Sequence, residues 1–472
     1  MDLTRLSNQT SRLIYLVLAH FLILLAYAAS NGLLLHQVQL WLLFFSWLLL
    51  MMSLFKKSIL YASVFQNPLE MLLLVNLVSF VLFYFFDNGI YLQSIQASAN
   101  IILLKFVAIS LFLLYFISFK LKGDNFFSAL MLHLAKHKFT YLVVLAVILR
   151  LAVIFYSPTP AGDAYWSLKE GAYDLISGKN PYGQEFSHSY SPESCQAIFG
   201  YSDCKNDTYP YLPATILITA FFQLIFGDVR FTLLLAQLGM AVIVYLLLRQ
   251  PFSRRDTIPQ LVTLLVLYLP LSIFIVEQSW IDPLSIFLLY LFVYLLIGGY
   301  RFLPYSLFGI FLAINQFSLI FLIFLLRFKG ISVKKFLLAI GIFSLISVPF
   351  AVWGFKDFIN DTIVYHLTYQ APLASLSFNS LTKIFFYTDI PLFITVPIIL
   401  AVLIFLLLRA PRGILGTIQA SLIVLFTLFL MRQGLANYYY SIACGIVLLI
   451  TLELRQIALS NLENNKTGLK ER

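Results

Sequence analysis

Residues 139–177 decide the fold, and they read FTYLVVLAVILRLAVIFY, then SPTPAG, then DAYWSLKEGAYDLIS. The first part, 139–156, is a nearly uninterrupted apolar run, and a membrane-spanning helix takes about 17–25 such residues. The proline-containing second part, 157–162, ends that helix. The third part, 163–177, has helical spacing with acidic and apolar residues on opposite faces. This pattern predicts a helix that lies in the membrane interface.

The composition of the whole chain extends this interpretation. Of its 472 residues, 61% are hydrophobic and 11% are charged, whereas a soluble domain carries about 45–50% apolar and about 25% charged residues. The composition therefore excludes an ordinary soluble protein, a disordered chain and a nucleic-acid binder. The apolar residues form long blocks and do not alternate, so the sequence predicts membrane-spanning helices and not barrel strands.

Twelve full spans are predicted, each with soft ends. They are 12–30, 33–55, 68–86, 100–118, 139–156, 229–249, 259–276, 281–299, 335–353, 389–408, 413–431 and 438–455. Two further apolar stretches do not fit a single crossing. The stretch 211–226 follows Pro210, and the stretch 303–327 is too long for one helix and is interrupted by Asn315-Gln316.

The basic residues predict the topology, because Lys and Arg mark cytoplasmic loops. They gather in five clusters, at 56–57, 120–138, 249–255, 327–335 and 409–412. All five fall on the cytoplasmic side only if 211–226 does not cross and 303–327 forms two short helices that meet outside. Both termini and the polar tail 456–472 are then cytoplasmic. No small-residue cleavage site follows the first span, so we expect an anchor and not a removed signal peptide.

The outer loops 157–210 and 354–388 are the longest, and loops of this length normally carry function. The first contains Asp163, Glu170, Asp174, Glu185, Glu193, Asp203 and Asp207. It also contains Cys195 and Cys204, which form either a disulfide in an oxidising compartment or two unrelated thiols. Helical spacing places Asp163, Glu170 and Asp174 on one face. Asp163 is then either a helix N-cap or a general base that takes a proton from a sugar hydroxyl.

Three motifs follow one another in this region: Gly162-Asp-Ala-Tyr-Trp166, Leu175-Ile-Ser-Gly-Lys-Asn-Pro-Tyr182 and Tyr209-Pro-Tyr-Leu-Pro213. In this order they resemble the GT-C class of integral membrane glycosyltransferases. The similarity is greatest to polyprenyl-phosphate-mannose-dependent mannosyltransferases and to the first mannosyltransferase of glycosylphosphatidylinositol synthesis. It covers residues 139–455 and includes the stretches 277–283, 315–316 and 432–440.

The resemblance implies an all-α polytopic membrane protein with a GT-C-like helical bundle. We expect about 12 full spans, a short helix pair and interfacial helices in a long outer loop. The implied division is a four-span extension (1–138), a seven-span module (139–353) with the catalytic loop 157–210, an outer loop with three further spans (354–455), and the tail 456–472. One departure is Ala164, which stands where many members carry a second acidic residue. The site is then either simpler or uses Glu170 or Asp174.

The resemblance also implies an activity. An Asp in the first outer loop is the catalytic base of the class, and the match assigns this role to Asp163. A hexose, mannose favoured, would move with inversion from a polyprenyl-phosphate-sugar to a lipid-linked or glycan acceptor. Candidate contacts to the donor phosphate or sugar are Arg432, His366, Arg150, Lys383, Trp166, Glu170, Asp174, Tyr182, Trp280, Asp282, Asn437 and Tyr438. Solvated charges, snorkelling of Arg150 and an interfacial aromatic belt are the alternatives for these residues.

Other functional classes have weaker sequence support. No metal-ligand spacing and no nucleotide-binding glycine pattern occurs, so we expect neither a metal site nor a cofactor. A flippase or transporter of lipid-linked sugars would favour internal symmetry and intramembrane charges. A non-catalytic GT-C-like subunit that binds lipid is the remaining alternative. The expected partners are the lipid-linked donor, membrane lipid and a glycan or glycolipid acceptor, with the site on the extracytoplasmic side of a prokaryotic plasma membrane.

Overall fold

The structure is a computed structural model that describes residues 3–54, 68–117, 126–187, 190–199, 206–252, 257–368 and 372–468. Within these ranges the secondary structure is helical, and the one β-type contact is an isolated bridge between Leu33 and Ser375. The prediction of an all-α bundle is confirmed.

The helices are α1 (Leu3–Tyr27), α2 (Gln37–Met52), α3 (Pro68–Phe86), α4 (Ile95–Ile117), α5 (Phe126–Tyr156), α6 (Asp163–Ile176), α7 (Pro192–Phe199), α8 (Pro213–Phe226), α9 (Arg230–Arg249), α10 (Thr257–Leu267), α11 (Ser272–Gln278), α12 (Asp282–Ile297), α13 (Leu303–Leu312), α14 (Leu319–Leu325), α15 (Val333–Trp353), α16 (Phe355–Ile359), α17 (Tyr365–Thr368), α18 (Phe378–Phe386), α19 (Leu392–Arg409), α20 (Ile414–Met431) and α21 (Ala436–Gly468). Short 3₁₀ turns cover Ala28–Ser30 and Gln316–Ser318, and a π-helical turn covers Asn360–Val364.

Every predicted span coincides with a helix or a broken helix. Ten stretches of the described residues are long and apolar enough to cross a membrane, and α2 and α12 are shorter apolar helices. The chain is therefore an integral membrane protein. Two ends differ from the prediction: α5 begins at Phe126, ahead of the predicted module boundary, and α21 continues to Gly468, into the predicted tail.

The stretch predicted not to cross is α8. It begins at Pro213, two residues after Tyr211, whose carbonyl oxygen accepts the hydroxyl of Tyr182 from the first long loop at 2.9 Å. The residue that opens the following helix α9, Arg230, donates hydrogen bonds to the carbonyl oxygens of Ile154 (3.0 Å) and Ser157 (2.6 Å). Ile154 and Ser157 lie at the end of α5 that leads into the first long loop. Both ends of α8 are thus at the same end of the bundle, and α8, with 14 residues, is shorter than the ten stretches that are long enough to cross a membrane.

The stretch 303–327 forms the predicted helix pair. Helix α13 ends at Leu312. The Asn315 side chain accepts the backbone N–H of Ser318 at 3.0 Å and so caps the 3₁₀ turn that leads into α14. At the far ends, the Tyr305 hydroxyl bonds the Gly330 carbonyl (3.3 Å) and Arg327 bonds the Leu406 carbonyl (2.9 Å). The pair therefore enters and leaves at one end of the bundle and turns at the other.

One predicted span, 259–276, is broken into α10 and α11. Pro270 lacks a backbone N–H and interrupts the helical hydrogen bonds, which in a membrane must be replaced by other partners. Arg150 supplies one replacement, because its guanidinium donates to the Leu267 carbonyl at 2.7 Å and also bonds Gln237. Gln237 in turn donates to the Ser272 carbonyl at 3.0 Å.

Candidate active site

A cavity of about 280 Å³ lies at the end of the bundle where the two long loops, 157–210 and 354–388, meet. Its lining comes from segments that the charge pattern assigns to the outer side: 31–33, 90–91, 163–167, 206–211, 278–282, 315–317, 365–366 and 433–438. These segments are far apart in the sequence. Their convergence on one cavity places the predicted outer loops at the same end of the protein.

Asp163 lines this cavity as the first residue of α6. The N-cap position belongs to Gly162, whose backbone is extended (φ −61°, ψ 136°), and the Asp163 carboxylate accepts the N–H of Ala164 in the first turn at 2.8 Å. A Cβ at Gly162 would lie 3.0 Å from Oε1 of Gln278, so glycine allows the chain to pass close to α11. The main-chain oxygen of Asp163 accepts hydrogen bonds from Ser167 (3.0 Å) and Asn206 (3.2 Å). The helix start is therefore fixed while the carboxylate faces the cavity.

Asp282 is a second carboxylate in the lining, and it opens α12. Its two oxygens accept hydrogen bonds from Nδ2 of Asn437 (2.8 Å) and Oγ of Ser441 (2.9 Å), which join α12 to α21. Burial, followed by the charges of Asp163 and Asp282, raises the pKa of Tyr211 well above its usual value. Asp163, Tyr211 and Asp282 all line the cavity.

Aromatic rings form another part of the wall. Phe317 makes edge contacts with His366 (5.9 Å between ring centres) and Tyr438 (5.4 Å), and Trp280 contacts Phe274 edge-on at 5.4 Å. Such faces can pack against the C–H groups of a sugar ring. His366 Nε2 lies 3.0 Å from the Pro210 carbonyl oxygen, so this ring is held by the first long loop.

Asp361, which the sequence did not indicate, connects the two long loops. Its Oδ2 accepts the backbone N–H groups of Gly183 (3.0 Å) and Tyr209 (3.1 Å). Gly183 directly follows the second motif that carries the resemblance, and Tyr209 opens the third. Burial raises the pKa of Asp361, and the two hydrogen bonds oppose that rise. Its π-helical turn is a feature often found near functional sites, but no sequence pattern marked it.

The other predicted site residues lie outside the lining of the cavity. Tyr182 supports the wall from behind, because its hydroxyl donates to the Tyr211 carbonyl at 2.9 Å. Lys383 pairs with Asp389 at 3.2 Å, and Glu170 accepts the Ser187 N–H at 2.7 Å. The cavity lining also excludes Arg150, Trp166, Asp174 and Arg432. Within the described lining there is no Lys or Arg, so the charged side chains that face the cavity are acidic.

The cysteines differ in state. Cys195 is disulfide-bonded, and Cys444 is free and buried in α21. The predicted partner, Cys204, lies outside the described residues, so the pairing stays a prediction.

His366 gives the site a predicted pH response. Burial lowers the pKa of His366 below 6.5, and its hydrogen bond to Pro210 opposes the shift. As the pH falls, the unfolded chain therefore binds a proton at this histidine before the folded chain does. The stability that neutral His366 contributes is thus fully present above about pH 6.5 and is lost as the pH falls. We expect the apparent melting temperature to fall more steeply from pH 7.5 to 5.5 in the wild type than in His366→Gln. The exposed His133→Gln should follow the wild type, and parallel curves for all three would contradict the assignment.

No family model matches the chain, and no curated protein matches it. Among solved structures, the crystal structure of ArnT from Cupriavidus metallidurans bound to undecaprenyl phosphate is similar, with a TM-score of 0.43 and 16% sequence identity. The match covers 66% of this chain and 60% of that chain.

Proposed function

We propose that this protein is a GT-C-type membrane glycosyltransferase. It moves a hexose, mannose favoured, from a polyprenyl-phosphate-sugar to a glycan or glycolipid acceptor on the extracytoplasmic side. The observation that carries the proposal is the carboxylate of Asp163, which lines a cavity of about 280 Å³ at the loop end of a membrane bundle. The sequence resemblance designates the same residue as the catalytic base.

The chemistry is a single displacement. The Asp163 carboxylate takes the proton of the acceptor hydroxyl as its oxygen attacks the anomeric carbon of the donor. The bond from that carbon to the phosphate oxygen breaks, and polyprenyl phosphate leaves with the bonding electrons. The configuration at the anomeric carbon inverts. A positioned general base contributes about 10²–10⁴-fold to such a reaction.

The cavity suits the polar parts of these substrates. Its volume of about 280 Å³ is near the lower end of the roughly 300–1,000 Å³ found for small-molecule sites. A sugar and a phosphate require a site of this scale, whereas the polyprenyl chain remains among the lipid tails beside the bundle. Trp280 and Tyr438 offer aromatic faces to the sugar, and Asp282 offers a second acceptor for its hydroxyl groups.

The leaving phosphate requires positive potential where its charge develops. Helix α21 begins in the cavity wall, and its first turn contains no acidic residue. A helix N-terminus carries a partial positive charge equivalent to about half an elementary charge. The Asp282 carboxylate already faces the first turn of α21 through Asn437 and Ser441. We therefore assign the phosphate to the neighbouring part of the wall, with Arg432 as the candidate cation because it directly precedes the lining residue Gln433.

The deciding experiment is a transfer assay with the purified protein in nanodiscs. Radiolabelled polyprenyl-phosphate-mannose is supplied with a short mannoside acceptor, and the product's anomeric configuration is determined. We expect covalent transfer with inversion, retained by Glu185→Gln, which removes an exposed carboxylate of the same loop. Tight donor binding without transfer would instead favour a lipid-binding subunit. Movement of intact donor across sealed vesicles would favour a flippase.

A further inference from the structure

The four-span N-terminal region reaches the cavity through the loop 87–94, between α3 and α4. Ile90 and Tyr91 of this loop line the cavity together with Asp163. The resemblance assigned no role to this region, because it covers only residues 139–455. The loop 87–94 nevertheless forms part of the wall of the same cavity.

The side chain of Glu277, at the end of α11, binds the backbone of this loop. Its carboxylate accepts the N–H groups of Ile90 (2.7 Å) and Tyr91 (3.0 Å). A Cβ at Gly89 would lie 2.8 Å from Cδ2 of Leu92 and 2.9 Å from Oε1 of Glu277, so a larger residue here would displace these side chains. The backbone that carries the Tyr91 side chain is therefore fixed at the cavity.

The start of α11 is joined to the same loop by a second carboxylate. Asp87 accepts the N–H groups of Ile273 (3.0 Å) and Phe274 (2.9 Å). Lys105 of α4 donates to the Asp87 carbonyl at 3.1 Å and to the Tyr84 carbonyl at 2.6 Å. The loop and α11 thus form one rigid unit, held at both ends.

The backbone is strained at both ends of α11. Leu271 (φ 65°) and Ser279 (φ 62°) flank α11 in the left-handed region. Such a conformation costs about 1–3 kcal/mol for a non-glycine residue and persists only where the surroundings enforce it. The strained Ser279 lies between Gln278 and Trp280, which both line the cavity.

The Tyr91 side chain has a chemistry suited to a sugar. Burial, followed by the charges of Glu277 and Asp163, raises the pKa of Tyr91 to about 12, so its hydroxyl keeps its proton and the Asp163 charge reaches it. Among the residues that the structure describes, none accepts a hydrogen bond from this hydroxyl. It is an available donor beside the general base.

We propose that Tyr91 contacts the sugar and donates a hydrogen bond to a ring hydroxyl close to the one that Asp163 deprotonates. The four-span region is then part of the sugar site. This inference rests on the proposed transferase function. The hydroxyl belongs either to the donor sugar or to the acceptor sugar, and separate titrations of the two distinguish these sources.

Steady-state kinetics of Tyr91→Phe supply the first test, with Tyr84→Phe as the matched control. Tyr84 belongs to the same region but does not line the cavity. A hydrogen bond between uncharged groups contributes about 0.5–1.5 kcal/mol, so we expect about a 2- to 12-fold rise in one KM. A rise in the acceptor KM places the acceptor at Tyr91, and a rise in the donor KM places the donor there. Unchanged KM values for both substrates would overturn the inference.

Cysteine protection supplies a second test that does not depend on transfer. Cys444 is buried and Cys195 is disulfide-bonded, so the described cysteines give little background. Tyr91→Cys is alkylated with an impermeant maleimide, with and without octyl α-mannoside or polyprenyl-phosphate-mannose. At ten times the Kd of the probe, we expect alkylation to slow about tenfold. Ile95→Cys, exposed beside the loop, should react at the same rate throughout.

The two tests separate the inference from the proposed function. Transfer by the wild type without protection at Tyr91→Cys would overturn the inference and leave the transferase standing. Protection at Tyr91→Cys without transfer by the wild type would support a sugar site at this loop and overturn the transferase.

Discussion

Replacing Asp163 by Asn should lower the kcat of sugar transfer by about 10²–10⁴-fold, the range that a positioned general base contributes. The amide has the shape of the carboxylate but cannot take the acceptor proton. Its oxygen can still accept the Ala164 N–H, a bond of 2.8 Å in the wild type, so α6 should begin at the same residue. We therefore expect an unchanged melting temperature and KM values close to those of the wild type.

The Asp163→Asn prediction has a matched control variant and a result that would contradict it. Glu185→Gln makes the same chemical change at an exposed position of the loop and should keep the wild-type kcat. If Asp163→Asn also keeps it, Asp163 does not act as the base. Asp282, the other carboxylate of the cavity, would then be the residue to test.

Replacing Asp361 by Ala should disorganise the cavity wall from outside the cavity. The carboxylate is the acceptor for two backbone N–H groups, and a hydrogen bond to a charged group contributes about 1.5–3 kcal/mol. The variant leaves the Gly183 and Tyr209 donors without that acceptor. We expect the apparent melting temperature to fall by about 5 °C. Transfer should fall steeply with it, since Tyr209 leads directly into the lining residues Pro210 and Tyr211.

Asp361→Asn is the matched variant for this prediction. Both N–H groups bond the same oxygen, so a correctly oriented amide oxygen retains both hydrogen bonds without the charge. We expect melting temperatures in the order wild type, Asn variant, Ala variant, with transfer following the same order. Differential scanning fluorimetry and the transfer assay measure the two properties. An Ala variant with wild-type stability and activity would show that the link between the loops is dispensable.

The overall fold could be predicted because its signals are local. A span is recognised by the length of an apolar run, and its direction by basic residues at its ends. The same signals, applied consistently, required α8 not to cross and the stretch 303–327 to form a pair, and the structure shows both. The break at Pro270 was missed, because a membrane helix tolerates proline where neighbouring side chains replace the lost hydrogen bonds.

The site could be predicted only in part. Asp163, Trp280, Asp282, His366, Asn437 and Tyr438 line the cavity as the motifs and outer positions suggested. Arg150 does not, because a charge within a span indicates that a partner exists but not which one. Here the partner is the Leu267 carbonyl at the break between α10 and α11, 117 residues after Arg150. Tyr91 and Asp361 were missed because their contacts join positions 186 and 152 residues apart, which no local pattern encodes.

The pairing of Asp282 with α21 has a consequence for the synthesis of the protein. Asn437 and Ser441 follow Asp282 by 155 and 159 residues. A ribosome that adds about 5–20 residues per second therefore needs roughly 8–30 s to deliver these partners. Until then the Asp282 carboxylate is unpaired, and removal of such a charge from water is costly. The head of α12 should accordingly stay hydrated, and the cavity should close only after α21 has entered the bilayer. Nascent chains that stop before α21 would contain Asp163 and yet lack part of the cavity wall, so we expect the cavity to form only after α21 has been inserted.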